Sequence, residues 1–409
     1  MRGRLVACFD GTWNTAEDQT NVSRLYAAIA DRDAGCRGQL KFYDQGVGTS
    51  VGERLRGGAF GRGLSRNVLE GYCWLVNNYH FRGEQWKEES RYGEEPVEGP
   101  DEIFLFGFSR GAFTARSLGG LINRCGLLRK DLFREGDRRR LVTPDTPLVR
   151  EAWELYRERI EAPPGGSTRD APKCVEFRRR YAYPDDDALL VRFLGVWDTV
   201  GALGIPSSID PLGIDRARYA FHDTSLGYVV ENAFHAIAID ENRVEYDVTL
   251  WTSKRDYQTV EQRWFPGAHA NVGGGYEDDT LPDRPLAWIA EEAVTRGLLF
   301  TQAGEPADVD RPRCRAALPK EFRLRGDEHL SPVRDSYADF GLGVYKAVRR
   351  RHFRPIQTRG VNETIDESAR QKWASDARYR PYNLAHAGRA DLDEQVAFSR
   401  TSIFPGTPA

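Results

Sequence analysis

The 409-residue sequence predicts an α/β protein with a mostly parallel central sheet, helices on both faces and a helical insertion. Three observations carry that reading. Short apolar runs alternate with helix-spaced segments from residue 4 onward, the order that strand–helix–strand units impose. The runs end in polar turns containing Asp and Gly, which would gather on one rim of such a sheet. Residues 103–125 (IFLFGFSRGAFTARSLGGLINRC) read as a buried strand, a tight turn and a helix.

The elements follow in chain order. RLVACF (4–9) is a first strand, closed by the turn DGTWN. NVSRLYAAIA (21–30) has helical apolar spacing, with Asn21 as its cap. LKFY (40–43) is a second strand, followed by DQGVGT. The Gly-rich stretch 52–63 lacks the Gly-Lys-Ser/Thr ending of a phosphate loop and reads as a mobile loop before a helix over 64–79. The strand over 103–106 comes next. Residues 126–188 are polar and partly helical, with LVREAWELYRERI the clearest helix, and are expected to form a lid over the site. LLVRFLGVW (189–197) is a strand ending at Asp198, and 228–238 read as a helix. A strand over 260–265 ends in PGAH, and 286–299 form a helix. Beyond about residue 300 the chain is rich in Pro, Arg and Asp and the sheet pattern stops. The expected organisation is a catalytic domain over 1–300, with the insertion 126–188, and an extension over 301–409 packed on it.

Bulk properties exclude several functions. A net charge of −3 gives no basic footprint for nucleic acid. No apolar run approaches a membrane span, and the N-terminus lacks the apolar core of a signal peptide. The six cysteines are scattered, with no C-x-x-C pair to hold zinc, which reads as reduced thiols. No cofactor or metal is expected.

The chemistry starts at Gly107-Phe108-Ser109-Arg110-Gly111, a G-x-S-x-G in the strand–turn–helix setting of a nucleophile elbow. The turn lifts the Ser109 hydroxyl off the sheet, and the helix behind it aims N–H groups at a developing oxyanion. A serine nucleophile needs a base, and the base needs an acid to orient it. Ser109, Asp198 and His269 occur in the chain order of α/β-hydrolases, each at a strand end. Asp240 (AIAIDENR) competes for the acid role, and His235 for the base, although NAFHAIA reads more as core packing. His222, His329, His352 and His386 read as surface residues. The oxyanion donors are expected to be the N–H of Arg110 and one from the Gly11-Thr12 loop, with Asp10 and Asn14 folding that loop.

Six strings then resemble a known family: FDGTWN, YDQGVGTS, GFSRGAFTAR, GVWDTVGALG, HAIAIDENR and WFPGAHANVGGGY, spanning most of 4–300. The chain resembles the α/β-hydrolase domain of the first Tle family of type VI secretion phospholipase effectors. The resemblance implies an α/β-hydrolase-like fold and a Ser-Asp-His esterase acting on acyl esters of lipids. It carries over to Ser109 as nucleophile, His269 as base and Asp198 as acid. It implies synthesis in a bacterial cytoplasm, with delivery elsewhere by a secretion system. It also allows transient contact with a membrane surface and an immunity or adaptor protein as partner. Two departures stand out: Asn271 occupies a position where the family string has Asp, and the C-terminal tail is modest.

Two other readings compete. Asp10, Asp44 and Asp198 on one rim could bind Mg²⁺ in a phosphoester hydrolase. CFDGT resembles the D-x-D-x-T start of haloacid-dehalogenase-type phosphatases, but Cys8 replaces the nucleophilic Asp. The third reading is a non-catalytic binding module on a hydrolase scaffold.

Overall fold

The computed structural model describes residues 3–11, 18–31, 38–46, 59–81, 99–135, 138–184, 191–201, 224–277, 279–301, 314–339 and 344–388. Among them a seven-stranded sheet forms the centre. Its strands are β1 (Arg4–Phe9), β2 (Gln39–Asp44), β3 (Glu102–Phe108), β4 (Val191–Trp197), β5 (Asn232–Ala238), β6 (Thr259–Phe265) and β7 (Glu363–Ile365). The spatial order is β7-β6-β5-β4-β3-β1-β2, and every neighbouring pair is parallel.

Side-chain alternation divides the apolar residues between the two faces. Leu5, Ala7 and Phe9 of β1 join Ile103 and Leu105 of β3 on one face, under α2 (Ala59–Asn78) and α3 (Arg110–Cys125). Val6 and Cys8 join Phe104, Phe106 and Phe108 on the other, against α1 (Asn21–Ala28). A third cluster forms where Ile237 and Trp264 meet Ile356, Trp373 and Leu384.

Four expectations change. Thr20, not Asn21, caps α1: its side chain accepts from the Ser23 N–H at 3.1 Å. Asn21 is buried, and its Nδ2 donates to the Val272 and Pro282 carbonyls at 2.9 Å each. Residues 232–238, expected to be helical, are the strand β5. Every residue of β5 is buried, so the period-2 signal is missing and the run looks like a buried helix. The sheet does not stop near 300, because β7 pairs with β6 in register Thr364↔Arg263. Three residues are too few to show a pattern. Finally, α2 begins at Ala59, inside the stretch read as a loop; residues 52–58 lie outside the described set.

The insertion is not placed as a lid. Its helices α4 (Pro147–Arg157) and α5 (Pro172–Tyr181) pack at the far end of α3. Cys125 Sγ donates to the Ala152 carbonyl at 3.2 Å, and Arg178 donates to the Arg124 carbonyl at 2.9 Å. With a rise of ~1.5 Å per residue, that end of α3 lies roughly 20 Å along the axis from Ser109. The topology requires this. A segment joining a helix end to the next parallel strand sits at the amino edge of the sheet, opposite the rim. No helix among the described residues is long and apolar enough to cross a membrane.

Candidate active site

At the end of β3 the chain turns sharply. Ser109 has φ 59° and ψ −119°, a left-handed conformation costly for a residue with a side chain. The flanking glycines make the turn feasible. A Cβ on Gly107 would strike the Gly111 carbonyl, and one on Gly111 would strike the Phe9 and Asp10 carbonyls. The Ser109 N–H donates to the Trp197 carbonyl at 3.0 Å, which ties the turn to β4. The first internal bond of α3 comes from the Phe113 N–H to Ser109, so the Arg110 N–H lies ahead of it at the positive end of the helix.

His269 opens α6 (His269–Gly273), a short helix. Gly267 precedes it at φ 120°, a conformation only glycine adopts readily. The His269 Nε2 lies 2.7 Å from Ser109 Oγ, and its Nδ1 lies 2.5 Å from Asp198 Oδ2. A carboxylate only accepts, so Nδ1 carries the proton and Nε2 is left as acceptor for the serine hydroxyl. Phe108 and Tyr246 flank the ring, with centroids at 4.7 and 5.1 Å. Ser109 and His269 are each 7% exposed and Asp198 is fully buried.

Asp198 follows β4 at φ 41°. Its Oδ1 accepts from the Ala238 N–H at 2.9 Å and from Arg354 Nη1 at 2.6 Å, and its Oδ2 accepts from Arg354 Nη2 at 3.0 Å. Burial opposes its charge, but Arg354 and His269 outweigh burial and hold the carboxyl far below the usual range. For His269 burial dominates and lowers the imidazole from its ordinary 6.5, against the upward pull of Asp198.

The structure thus brings Ser109, His269 and Asp198 into one hydrogen-bonded chain and keeps their sequence rivals apart from it. Asp240 Oδ2 accepts from the Gly267 N–H at 2.7 Å and the Tyr379 hydroxyl at 2.9 Å, so it holds the turn before His269. His235 is buried in β5, and its Nε2 accepts from the Thr199 N–H at 3.0 Å. Burial and then Arg116 push it down to about 3. His386, read as a surface residue, is buried against the Tyr382 carbonyl. The Gly11 N–H donates to Asp10 Oδ1 at 2.7 Å, and Thr12 and Asn14 lie outside the described residues. Asp10 also accepts from Thr20 and Tyr43, and Asp44 accepts from Asn67. Among the described residues no three His, Cys, Asp or Glu side chains are grouped to hold a metal.

Asn271 does not touch the chain of three. Its Oδ1 accepts from the Ala268 N–H at 2.9 Å, and its Nδ2 donates to Asp279 at 2.7 Å. An aspartate here would face that carboxylate, so the amide suits this loop. Sequence reasoning missed Arg354 and Glu241. Glu241 sits in the HAIAIDENR string beside the more obvious Asp240. It accepts three bonds from Arg243, from its N–H, Nε and Nη2 at 2.9, 2.8 and 2.7 Å, one from Ser336 at 2.9 Å and one from the His269 N–H at 3.4 Å.

Asp240 supports a prediction. Burial raises it to about 6 despite its hydrogen bonds, so the folded state binds its proton more tightly than the unfolded chain. The associated stability is present below about pH 4 and lost as pH rises through 6. Asp240→Asn should flatten that loss in melting temperature and keep turnover within about threefold, whereas Asp198→Asn should cost on the order of 10⁴ in turnover. Rates and melts of both variants across pH test this, and the reverse pattern would move the acid role to Asp240.

A parallel sheet with an elbow serine at its rim defines the class: an α/β-hydrolase-like protein. Residues 3–292 match the catalytic-domain model of the type VI secretion system Tle1-like phospholipase effectors, and the chain belongs to that family. The chain is also similar to the uncharacterized protein YEL023C of Saccharomyces cerevisiae, at 26% identity over 61% of this chain and 32% of that protein. It therefore spans about a third of that relative's length. Two solved structures are similar at low identity. An uncharacterized protein from Pseudomonas aeruginosa shares 18% identity at a TM-score of 0.41, over 73% of this chain and 46% of the other. The Tle1 effector bound to the VgrG spike shares 17% at 0.34, over 68% and 52%.

Proposed function

We propose that the chain is a serine carboxylester hydrolase of phospholipase A type, acting on acyl lipids. The observation that carries the reading is the unbroken hydrogen-bonded path from Ser109 through His269 to Asp198 at a strained elbow. Ser109 Oγ attacks the ester carbonyl as its proton passes to His269 Nε2. Asp198 keeps the imidazole in the required tautomer and stabilises the imidazolium. The oxyanion is met by the Arg110 N–H, the first donor of α3. The second donor is assigned to the Gly11-Thr12 loop, because the Phe9 and Asp10 carbonyls just before it lie against Gly111 of the elbow. His269 then protonates the departing alcohol, and water repeats the sequence to free the acid and restore Ser109.

Family membership also supports delivery by a secretion system; an adaptor or immunity protein as partner and brief contact with a lipid surface belong to the same proposal. Mass spectrometry of a total lipid extract incubated with the protein tests the substrate class. Released fatty acid and lysolipid are expected, and their absence, with no fluorophosphonate adduct on Ser109, would sink the reading. A pH prediction follows from the buried imidazole. The acid limb of kcat/KM should fall below the 6.5 of an ordinary histidine, because burial favours the neutral ring. A limb at or above 7 would contradict it.

A further inference from the structure

Arg354 reaches the site from beyond residue 292, where the family match ends. It is fully buried, and a buried guanidinium is tolerated only with its charge paired and most of its donors used; both outer nitrogens are engaged, while Nε has no partner among the described residues. Its two outer nitrogens straddle the Asp198 carboxylate, one on each oxygen, at 2.6 and 3.0 Å. On their other sides the same nitrogens donate to the Ala238 carbonyl, at 2.9 Å, and to the Tyr246 carbonyl. The fork is therefore fixed on the ends of β5 and the loop after it, and it fixes the plane of the carboxylate in turn. Its own carbonyl accepts from Asn383 Nδ2 at 3.2 Å, and the same Nδ2 donates to the Ile239 carbonyl at 2.8 Å.

We propose that Arg354 is a positioning residue for the Asp198–His269 pair, an inference that rests on the hydrolase reading above. Two effects follow. With Oδ1 held by Arg354 and Ala238, the Oδ2 lone pair left over is aimed at His269 Nδ1. With the Asp198 charge already partnered, the pair takes up a proton less readily, so His269 remains a neutral base to lower pH. Among the described residues the other charged or titratable groups around the pair are few. From the β3 elbow they are Ser109 and Arg110; from β5, His235 through the Thr199 N–H; and from the loop after it Glu241, which Arg243 neutralises, Tyr246, and Asp247 paired with His352 at 3.2 Å. Arg354 alone of these donates to Asp198 through a charged fork.

The test combines two readouts on the full chain: NMR titration of the His269 imidazole, and the rate of Ser109 labelling by a fluorophosphonate against pH. In Arg354→Met both the imidazole titration and the acid limb should move up by about one pH unit or more. The plateau labelling rate should fall on the order of 10²-fold as the imidazole loses its alignment. Arg354→Lys keeps the charge and loses the fork, so its titration should match the wild type while its rate falls about tenfold. A folded Arg354→Met with wild-type titration and rate would reduce Arg354 to packing. If Arg354→Met fails to fold, a wild-type labelling rate in Arg354→Lys overturns the proposal instead. A wild-type protein that is never labelled refutes the hydrolase reading, and the imidazole titration then still decides whether Arg354 governs His269.

Discussion

Ser109→Ala should abolish ester hydrolysis and leave the fold intact. Among the described residues the hydroxyl hydrogen-bonds His269 Nε2 alone, at 2.7 Å. Loss of a nucleophile that works as one unit with its base typically costs on the order of 10⁶ in turnover. The elbow backbone survives because alanine at φ 59° carries the same strain as serine, while Gly107 and Gly111 still permit the close approach of α3 to β1. Ser109→Gly should then be inactive and yet more stable, since glycine adopts that φ without penalty. Turnover on a soluble ester and a thermal melt of both variants check the pair of effects. Activity within tenfold of wild type would remove Ser109 from the mechanism, and unfolding of the alanine variant would mean the hydroxyl is structural.

The same elbow shows why this part of the site could be read from sequence. Its requirements are local: an apolar run buried on both faces, two glycines forced by backbone contacts, and a helix that begins at once. Strand ends carry the other two residues of the chain of three, and parallel order brings strand ends to one rim. Elements whose physics is not local leave no such trace in the sequence. β5 is buried throughout and so has no alternation to betray it. β7 is three residues long and is specified by its partner, through Trp264 Nε1 donating to Glu363 at 2.8 Å, more than by its own composition. The insertion lies between the strands that carry Ser109 and Asp198, which suggests a place at the rim, whereas a helix that runs antiparallel to the strands carries its end away from it.

Arg354 is the sharpest case. It lies in VRRRHFRP, a charge run of the kind that is ordinarily solvated, and nothing in that string separates it from Arg349, Arg350 and Arg351. Only the fold reveals it as fully buried on Asp198. The C-terminal residues recur around the site: Ser336 on Glu241, Tyr379 on Asp240 and the Arg334 N–H on Asn271. Each braces an element that carries His269 or Asp198. The extension therefore packs on the rim that holds the chemistry, and truncation after the family match would strip away those braces.

His269→Ala should damage hydrolysis nearly as much as the serine change, and the double variant should be no worse than either alone. Among the described residues the imidazole alone links the Ser109 and Asp198 side chains, at 2.7 and 2.5 Å, so each deletion breaks the same path. Once the path is broken, what remains is binding and oxyanion stabilisation, on the order of 10³–10⁴ above water, which neither side chain supplies. His235→Ala is the control. That ring accepts the Thr199 N–H at 3.0 Å and packs on Trp251, so its loss leaves a buried donor unpaired and a gap in the core. The cost should appear as stability, about 1–3 kcal/mol for the orphaned N–H alone. Rates and melts on the four variants separate the roles. Additive losses for Ser109 and His269 would mean that they act independently, and a His235 variant that is inactive but fully stable would make the wrong histidine the base.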